Sequence, residues 1–237
     1  QDTAYGPLGE GIRGEFDRDP LYLFDKFDCM TFVETVLALS EAENVDEFKD
    51  KLSEIRYADG NPSYLTRNHF VSLDWIPHNS QKGFIRDVTI EIFPQETIWV
   101  KTEIDKGQWL KKRTLSDLHN LEGLSNIEKQ ALVAKLHTLG NKYKKVQVTL
   151  PYILLSAIYQ NHELINRLPS GAIINVVRPD IDQKAAIGTN LDVVHQGLFH
   201  RNSKGEVFYR HATSVPPFKV IDIPFFAYFY KYASIAK

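Results

Sequence analysis

Cys29, Phe32, Val33, Val36, Leu37 and Ser40 recur at three- and four-residue steps, which predicts a helix over about 29–42 with one face in a core. Asp28 stands ahead of it as an N-cap or first-turn acid. A second helix is expected over 45–55, with Asn44 as its cap. Upstream, residues 1–20 carry four glycines and read as an irregular arm, and 21–27 bring aromatic residues up to the first helix.

Beyond the second helix the period is lost. Residues 57–64 are rich in turn formers, and Arg67 to Asn79 gathers cations, amides, imidazoles and Trp75 with neither a helical nor a strand repeat. Alternation returns over 88–93 and 97–100, predicting two strands interrupted by Pro94. A charged stretch over 115–143 reads as helical and solvated, ending near Gly140. Residues 146–153 predict a strand and 154–168 a helix. A turn at Pro169, Ser170 and Gly171 then feeds a strongly β-forming strand. From Val193 to Thr213 the pattern is a hairpin turning at Asn202–Gly205, where glycine suits a positive φ. The aromatic tail 221–232 is expected to pack back on the body. The sum is an α+β chain.

Composition narrows the possibilities. The 237 residues, 43% of them hydrophobic, suffice for one generous domain or a core domain with a large insertion. A net charge of -2 and the absence of a basic run longer than Lys111–Arg113 remove the electrostatic basis for nucleic-acid binding. No apolar run approaches the length of a membrane span. The start at Gln1 hints at a removed export signal or a trimmed chain.

One cysteine permits no intramolecular disulfide and leaves a thiol for chemistry. In the first turn of a helix, Cys29 meets unpaired N–H groups and the positive dipole end, which favour a thiolate. The competing reading is an inert, buried Cys29 that packs as a small hydrophobe. A nucleophilic thiolate needs a base, and His195 is the candidate. His211 comes within a residue or two of opposing it across the hairpin and could hold its ring by accepting the second N–H bond. A zinc site of Cys29, His195, His200 and His211 competes, but His200, five residues after His195, should point to the opposite face. A purely structural pair of hairpin histidines also stays open. His119, His137 and His162 read as ordinary surface or packing residues. The stretch from Tyr57 to Asn79 suits a polar pocket; alternatively it is an ordinary folded loop in which Trp75 fills core and Asn68 satisfies backbone groups.

Asp28-Cys29-Met30-Thr31-Phe32-Val33 resembles the nucleophile motif of the NlpC-like, papain-related cysteine peptidases and amidases of bacterial cell walls. Leu168 to Ile174 resembles that family's turn and strand before the base, His195 to Phe199 its histidine-to-glycine strand, and Arg210 to Thr213 its closing histidine motif. Tyr57, Arg67 to Phe70 and Asp74 to Ile76 are similar to the N-acetylmuramoyl-L-alanine amidase-like branch. The chain departs from the pattern in a 166-residue separation of Cys29 from His195, and in Gln196 where a small apolar residue is usual.

The resemblance implies a papain-like core, a nucleophile helix packed on an antiparallel sheet or barrel, in a single catalytic domain over 1–237 with an insertion at roughly 80–165. The stretch 101–145 falls outside the likeness. Also implied are Cys29 as nucleophile, His195 as base and His211 as the orienting third member, with Tyr57 as an oxyanion candidate. Tyr64, Arg67, Asn68, His69, Asp74, Trp75 and Asn79 become substrate-binding candidates: Arg67 and His69 toward carboxylates, Asn68 toward peptide groups, Trp75 stacking on sugar. The expected reaction is cleavage of the N-acetylmuramoyl-L-alanine amide of peptidoglycan fragments, including anhydro-muropeptides, by a periplasmic or secreted monomer with no metal or cofactor. A D-glutamyl-diamino acid endopeptidase and a silent muropeptide binder are the alternatives.

Overall fold

Asp28 sets the start of α1 (Cys29–Ser40) by a reciprocal capping box. Its Oδ1 accepts the Thr31 N–H at 2.7 Å, and Thr31 Oγ1 accepts the Asp28 N–H at 2.8 Å. The structure, a computed structural model, describes residues 10–179 and 181–233, so the first nine residues of the expected arm and the chain's last four lie outside it. Helix α1 stops two residues short of expectation, where Ser40 Oγ donates back to the Leu37 carbonyl. Its buried Phe32, Val33 and Ala38 pack on Phe48, Leu52 and Ile55 of α2 (Val45–Arg56), which Asn44 caps as expected.

Beneath the start of α1 lies a buried charge cluster. Glu34 is 0% exposed; its Oε2 accepts Arg56 Nε at 2.7 Å and lies 3.8 Å from Arg67 Nη2. Arg56 also donates to the Leu21 carbonyl. Removing three charges from water is costly unless they offset one another, so this cluster fixes α1, α2 and the chain at residue 67 as one unit.

The aperiodic stretch contains a helix the pattern does not announce. A π-helical turn over Val71–Trp75 runs into α3 (Ile76–Gln81), and Asp74 Oδ2 accepts the Phe70 N–H at 3.2 Å. The strand expected over 88–93 is instead a helical turn, α4 (Thr89–Ile92), entered where Asp87 Oδ1 accepts the Thr89 N–H. Alternation alone is weak evidence when no neighbouring strand offers a ladder.

Strand β1 (Thr97–Ile104) pairs antiparallel with β2 (Val146–Ile153), from Thr97 opposite Ile153 to Ile104 opposite Val146. Between them lie α5 (Lys106–Lys111) and α6 (Asn126–Gly140). The charged stretch is less solvated than its composition suggests. Leu136 of α6 and Leu110 of α5 are both fully buried and share a core with Phe16 and Tyr64. Gly107 and Gly140 allow this: a Cβ on either would come within about 2.6 Å of the other's carbonyl oxygen. The expected helix over 154–168 is broken at Asn161 into α7 (Leu155–Gln160) and a 3-10 turn at His162–Arg167.

The last third forms the site's scaffold. Strands β3 (Ile173–Val177), β4 (Val193–Arg201), β5 (Val207–Ala212) and β6 (Val220–Pro224) make an antiparallel sheet in that order, with α8 (Lys184–Ile187) between β3 and β4. The sheet stays open, so among the described residues there is no closed barrel, correcting that part of the expectation. At the β4–β5 turn, Gly205 has φ 81° and Asn202 Oδ1 accepts the N–H groups of Lys204 and Glu206. Ile173, Leu198, Ala212 and Val220 face α1. Phe199 and Tyr209 on the other face meet Phe225 and Phe229 of α9 (Phe225–Ala233), so the aromatic tail does pack back. No helix among the described residues is long and apolar enough to cross a membrane.

Glu34→Gln leaves two buried guanidiniums facing a neutral amide. It should cost about 3 kcal/mol of unfolding free energy, read as a lowered urea midpoint at unchanged slope.

Candidate active site

His195 on β4 and His211 on β5 are brought together by the hairpin register. Leu198 pairs with Arg210 and Phe199 with Tyr209, so continuing the ladder sets Gly197 opposite His211 and leaves His195 diagonal to it on the same face. The rings meet: His195 Nε2 lies 2.8 Å from His211 Nδ1, with the planes at 85°. His200 pairs with Phe208 and, by strand alternation, occupies the opposite face. It is no part of a ligand set with the other two.

Two tyrosines complete this face. Tyr209 stacks on His211 at 5.0 Å, and Tyr228 of α9 lies 4.7 Å from the rings of both Tyr209 and His211. Burial raises both phenols above their ordinary value of 10.0. Beyond that, each is raised by a neighbouring tyrosine and then by Cys29. Cys29, half-buried at the first position of α1, therefore shares its tyrosine neighbours with both imidazoles. Sequence reasoning missed Tyr209 and Tyr228. The signal for Tyr209 was its place two residues before His211 on one strand face; Tyr228 gave none, since only the fold turns α9 toward the pair.

Glycine at 197 is a spatial requirement. A Cβ there would sit 2.6 Å from Tyr209 Cζ and 2.7 Å from the Arg210 carbonyl oxygen, so glycine is what lets Tyr209 lie under His211. The neighbouring Gln196, 1% exposed, donates through Nε2 to Asn175 Oδ1 at 2.8 Å on β3, so a polar residue at this position has a buried partner.

The candidates between Tyr57 and Asn79 are mostly built into the frame. Trp75 is 0% exposed, which leaves its ring no solvent-facing surface for a sugar. Asn68 and Asn79 are equally buried and both donate to the Ile55 carbonyl, at 3.0 Å each, while Asn68 Oδ1 lies 2.7 Å from His78 Nδ1. Asp74 is held by Lys106 Nζ at 3.1 Å. Trp75 fills core and Asn68 satisfies a backbone group, the plainer of the two readings. Tyr64 packs against Phe16, His69 and Trp109. His69 lies among the same rings with Nε2 2.6 Å from the Tyr64 carbonyl, and burial together with Lys106 and Arg67 holds its pKa well below the ordinary 6.5. A neutral, committed imidazole is not a carboxylate receptor.

Arg67, only 3% exposed, has no hydrogen-bond partner at Nη1 or Nη2 among the described residues. Its charge lies close enough to Asp28 to favour that carboxylate's ionised form, against the burial that raises its pKa. Tyr57, also buried, pairs backbone to backbone with Arg67 and feels both guanidiniums. A cavity of about 960 Å³ runs along the outer edge of β3 between the end of β2 and α9; its wall includes Tyr232, a hydrogen-bond neighbour of Tyr228.

A helix-start thiol and a pair of imidazoles thus share two tyrosine neighbours, and these are residue types that nucleophilic acyl transfer can use. The chain belongs to the AmiA-like family, described as N-acetylmuramoyl-L-alanine amidase-like, whose model matches residues 5–235. A Legionella pneumophila protein of solved structure is similar at 32% identity, with a TM-score of 0.93 over 99% of this chain and 80% of that one. An N-acetylmuramoyl-L-alanine amidase from Bacteroides uniformis shares the fold, with a TM-score of 0.58 and 23% identity over 97% of this chain and 87% of that one. No curated protein matches the chain.

Gly197→Ala should displace the Tyr209 ring and lower stability by about 1–3 kcal/mol; thermal unfolding checks it. His69 binds a proton less readily folded than unfolded, so its contribution to stability is full above pH 6.5 and is lost as pH falls below it. In a ¹⁵N titration its ring should stay neutral at pH 6.5, where an unperturbed imidazole is half charged.

Proposed function

We propose that this chain is a cysteine amidase that hydrolyses the bond between an N-acetylmuramoyl group and L-alanine in peptidoglycan fragments, anhydro-muropeptides among them. The observation that carries the reading is the 2.8 Å contact of His195 Nε2 with His211 Nδ1 on the face whose tyrosines also feel Cys29. Membership of an amidase-like family supports the bond assigned.

The mechanism follows from which nitrogen is engaged. With Nε2–H of His195 donated to His211 Nδ1, the remaining nitrogen, Nδ1, is the one left to exchange a proton with Cys29. His211 thereby fixes the tautomer and orientation of the base. The Cys29 thiolate adds to the lactyl carbonyl, and the oxyanion is held by the backbone N–H at the start of α1, with Tyr57 as the side-chain candidate. Collapse expels the L-alanine nitrogen, which takes its proton from His195. Water then opens the thioester, giving a muramoyl carboxylate and regenerating the thiol.

In this reading the chain is one catalytic unit with a papain-like NlpC core, its insertion at roughly 80–165 tied in through the core that Leu110 and Leu136 share with Phe16 and Tyr64. It acts as a monomer, outside the cytoplasm, on material released from the wall. Among the charged candidates in the 57–79 stretch, Arg67 has donors without a hydrogen-bond partner among the described residues, and it is assigned to electrostatic support beneath the reacting centre.

One defined anhydro-muropeptide, analysed by mass spectrometry after incubation, tests this. Release of the intact stem peptide with a new L-alanine amino terminus is expected, and Cys29→Ala or His195→Ala should each cut the rate by at least about a thousandfold. Release of a fragment beginning at the diamino acid makes the protein an endopeptidase. Binding without turnover in the unaltered protein makes it a receptor for fragments.

A further inference from the structure

Away from the cysteine site, the N-terminal arm and a distant loop place three metal-type ligands together. Asp17 and Asp19 come from the arm and His119 from the loop after the 3-10 turn at Leu115–Asp117, and one donor atom from each lies within 4.8 Å of the others. Both aspartates are buried, 2% and 6% exposed, whereas the His119 side chain is 39% exposed. In each carboxylate one oxygen is engaged by the protein: Asp17 Oδ1 accepts the Asp19 N–H at 2.8 Å, and Asp19 Oδ1 accepts from Asn120 Nδ2. The two remaining oxygens turn toward one ring nitrogen, with His119 Nδ1 3.3 Å from Asp17 Oδ2 and 3.5 Å from Asp19 Oδ2.

One ring nitrogen carries at most one proton, so it cannot give a full hydrogen bond to both. The 3.3 Å contact takes it, and Asp19 Oδ2 is left buried with no hydrogen-bond partner among the described residues. A cation between the three removes the conflict, because Nδ1 then serves as a lone-pair donor. The spacing suits one: four ligands about 2.0–2.1 Å from a tetrahedral zinc lie about 3.3 Å apart. Two carboxylates and a neutral imidazole also balance a divalent charge. The hydrogen bonds to Asp17 Oδ1 and Asp19 Oδ1 hold the liganding oxygens in place, as outer partners of metal ligands do.

We propose that Asp17, Asp19 and His119 bind a divalent cation of the zinc class, with water completing the shell on the open side of His119. The site would add a third kind of attachment between the arm and the loop at 118–120, beside the packing of Phe16 with Leu118 and Leu121 and the hydrogen bond from Arg18 N–H to the His119 carbonyl at 3.1 Å.

Because Cys29 and the paired imidazoles could also capture zinc, the test uses the full chain carrying Cys29→Ala, stripped with chelator and titrated calorimetrically with Zn²⁺. The expected result is one Zn²⁺ per chain and a raised Tm. Adding His119→Gln or Asp19→Asn should weaken binding at least about tenfold. The His119 side chain reaches the surface, so its replacement tests the site even if the Asp19 variant fails to fold. No binding in the Cys29→Ala protein, or an affinity unchanged by His119→Gln, overturns the proposal.

Discussion

Three buried charges under the start of α1 are the constraint on which the site's geometry depends. Glu34 lies on α1, Arg56 at the last turn of α2, and Arg67 in the chain that follows. None can move into the apolar core alone, since an isolated ion there would have to give up its hydration without compensation. They move together or not at all. Their cohesion, together with the apolar packing of Phe32 and Val33 on α2, fixes the direction of α1 and with it where Cys29 sits. Asp28 joins the same field from above, capping the helix while its charge faces Arg67.

The second constraint acts from the sheet side. Three aromatic planes, Tyr209, His211 and Tyr228, stack and tilt against one another at centroid distances of 4.7 to 5.0 Å, and His195 meets His211 and Tyr209 edge-on while stacking toward Tyr228. Such packing helps to hold the imidazoles in fixed orientation. Gly197 is the small residue that makes room for it. The His195–Gly197 pairing along β4 therefore has one cause: the histidine supplies a nitrogen, and the glycine two positions on admits the ring that supports its partner.

Both α1 and the histidine hairpin were legible in the sequence, because each is set by local rules. Cys29 to Leu37 has an unbroken helical period behind a capping acid, and Asn202 to Gly205 is a turn whose chemistry fixes register within a residue or two. The helix over Val71–Gln81 was not legible, since it opens with a π-helical turn that follows no regular period, and Asp74, which accepts the Phe70 N–H there, is also paired with Lys106 thirty-two positions on. Nor was the burial of α6. Its apolar positions are separated by charges, and the close approach of Gly107 to Gly140, which the pattern does not announce, lets it pack against α5 where Leu136 is sealed. The polar residues of the 57–79 stretch misled for a related reason: buried amides that satisfy a core backbone look, in sequence, like amides that greet a ligand. Asn68 and Asn79 do the former.

The arm before α1 extends the same logic outward. Glu10 accepts the N–H groups of Phe16 and Asp17 with one oxygen and that of Tyr64 with the other, so one carboxylate ties the arm to the entry of the Arg67 segment. Tyr64 then holds His69 through its carbonyl, and Arg67 between them reaches Glu34. The arm is thus linked to the helix that carries Cys29 through a chain of five named contacts as well as through the apolar core. That path gives an anchored arm a physical reason to matter to chemistry performed elsewhere: loosening residues 10–19 removes the backing of Tyr64, which frees the one segment that carries both Tyr57's backbone partner and a guanidinium of the buried charge cluster.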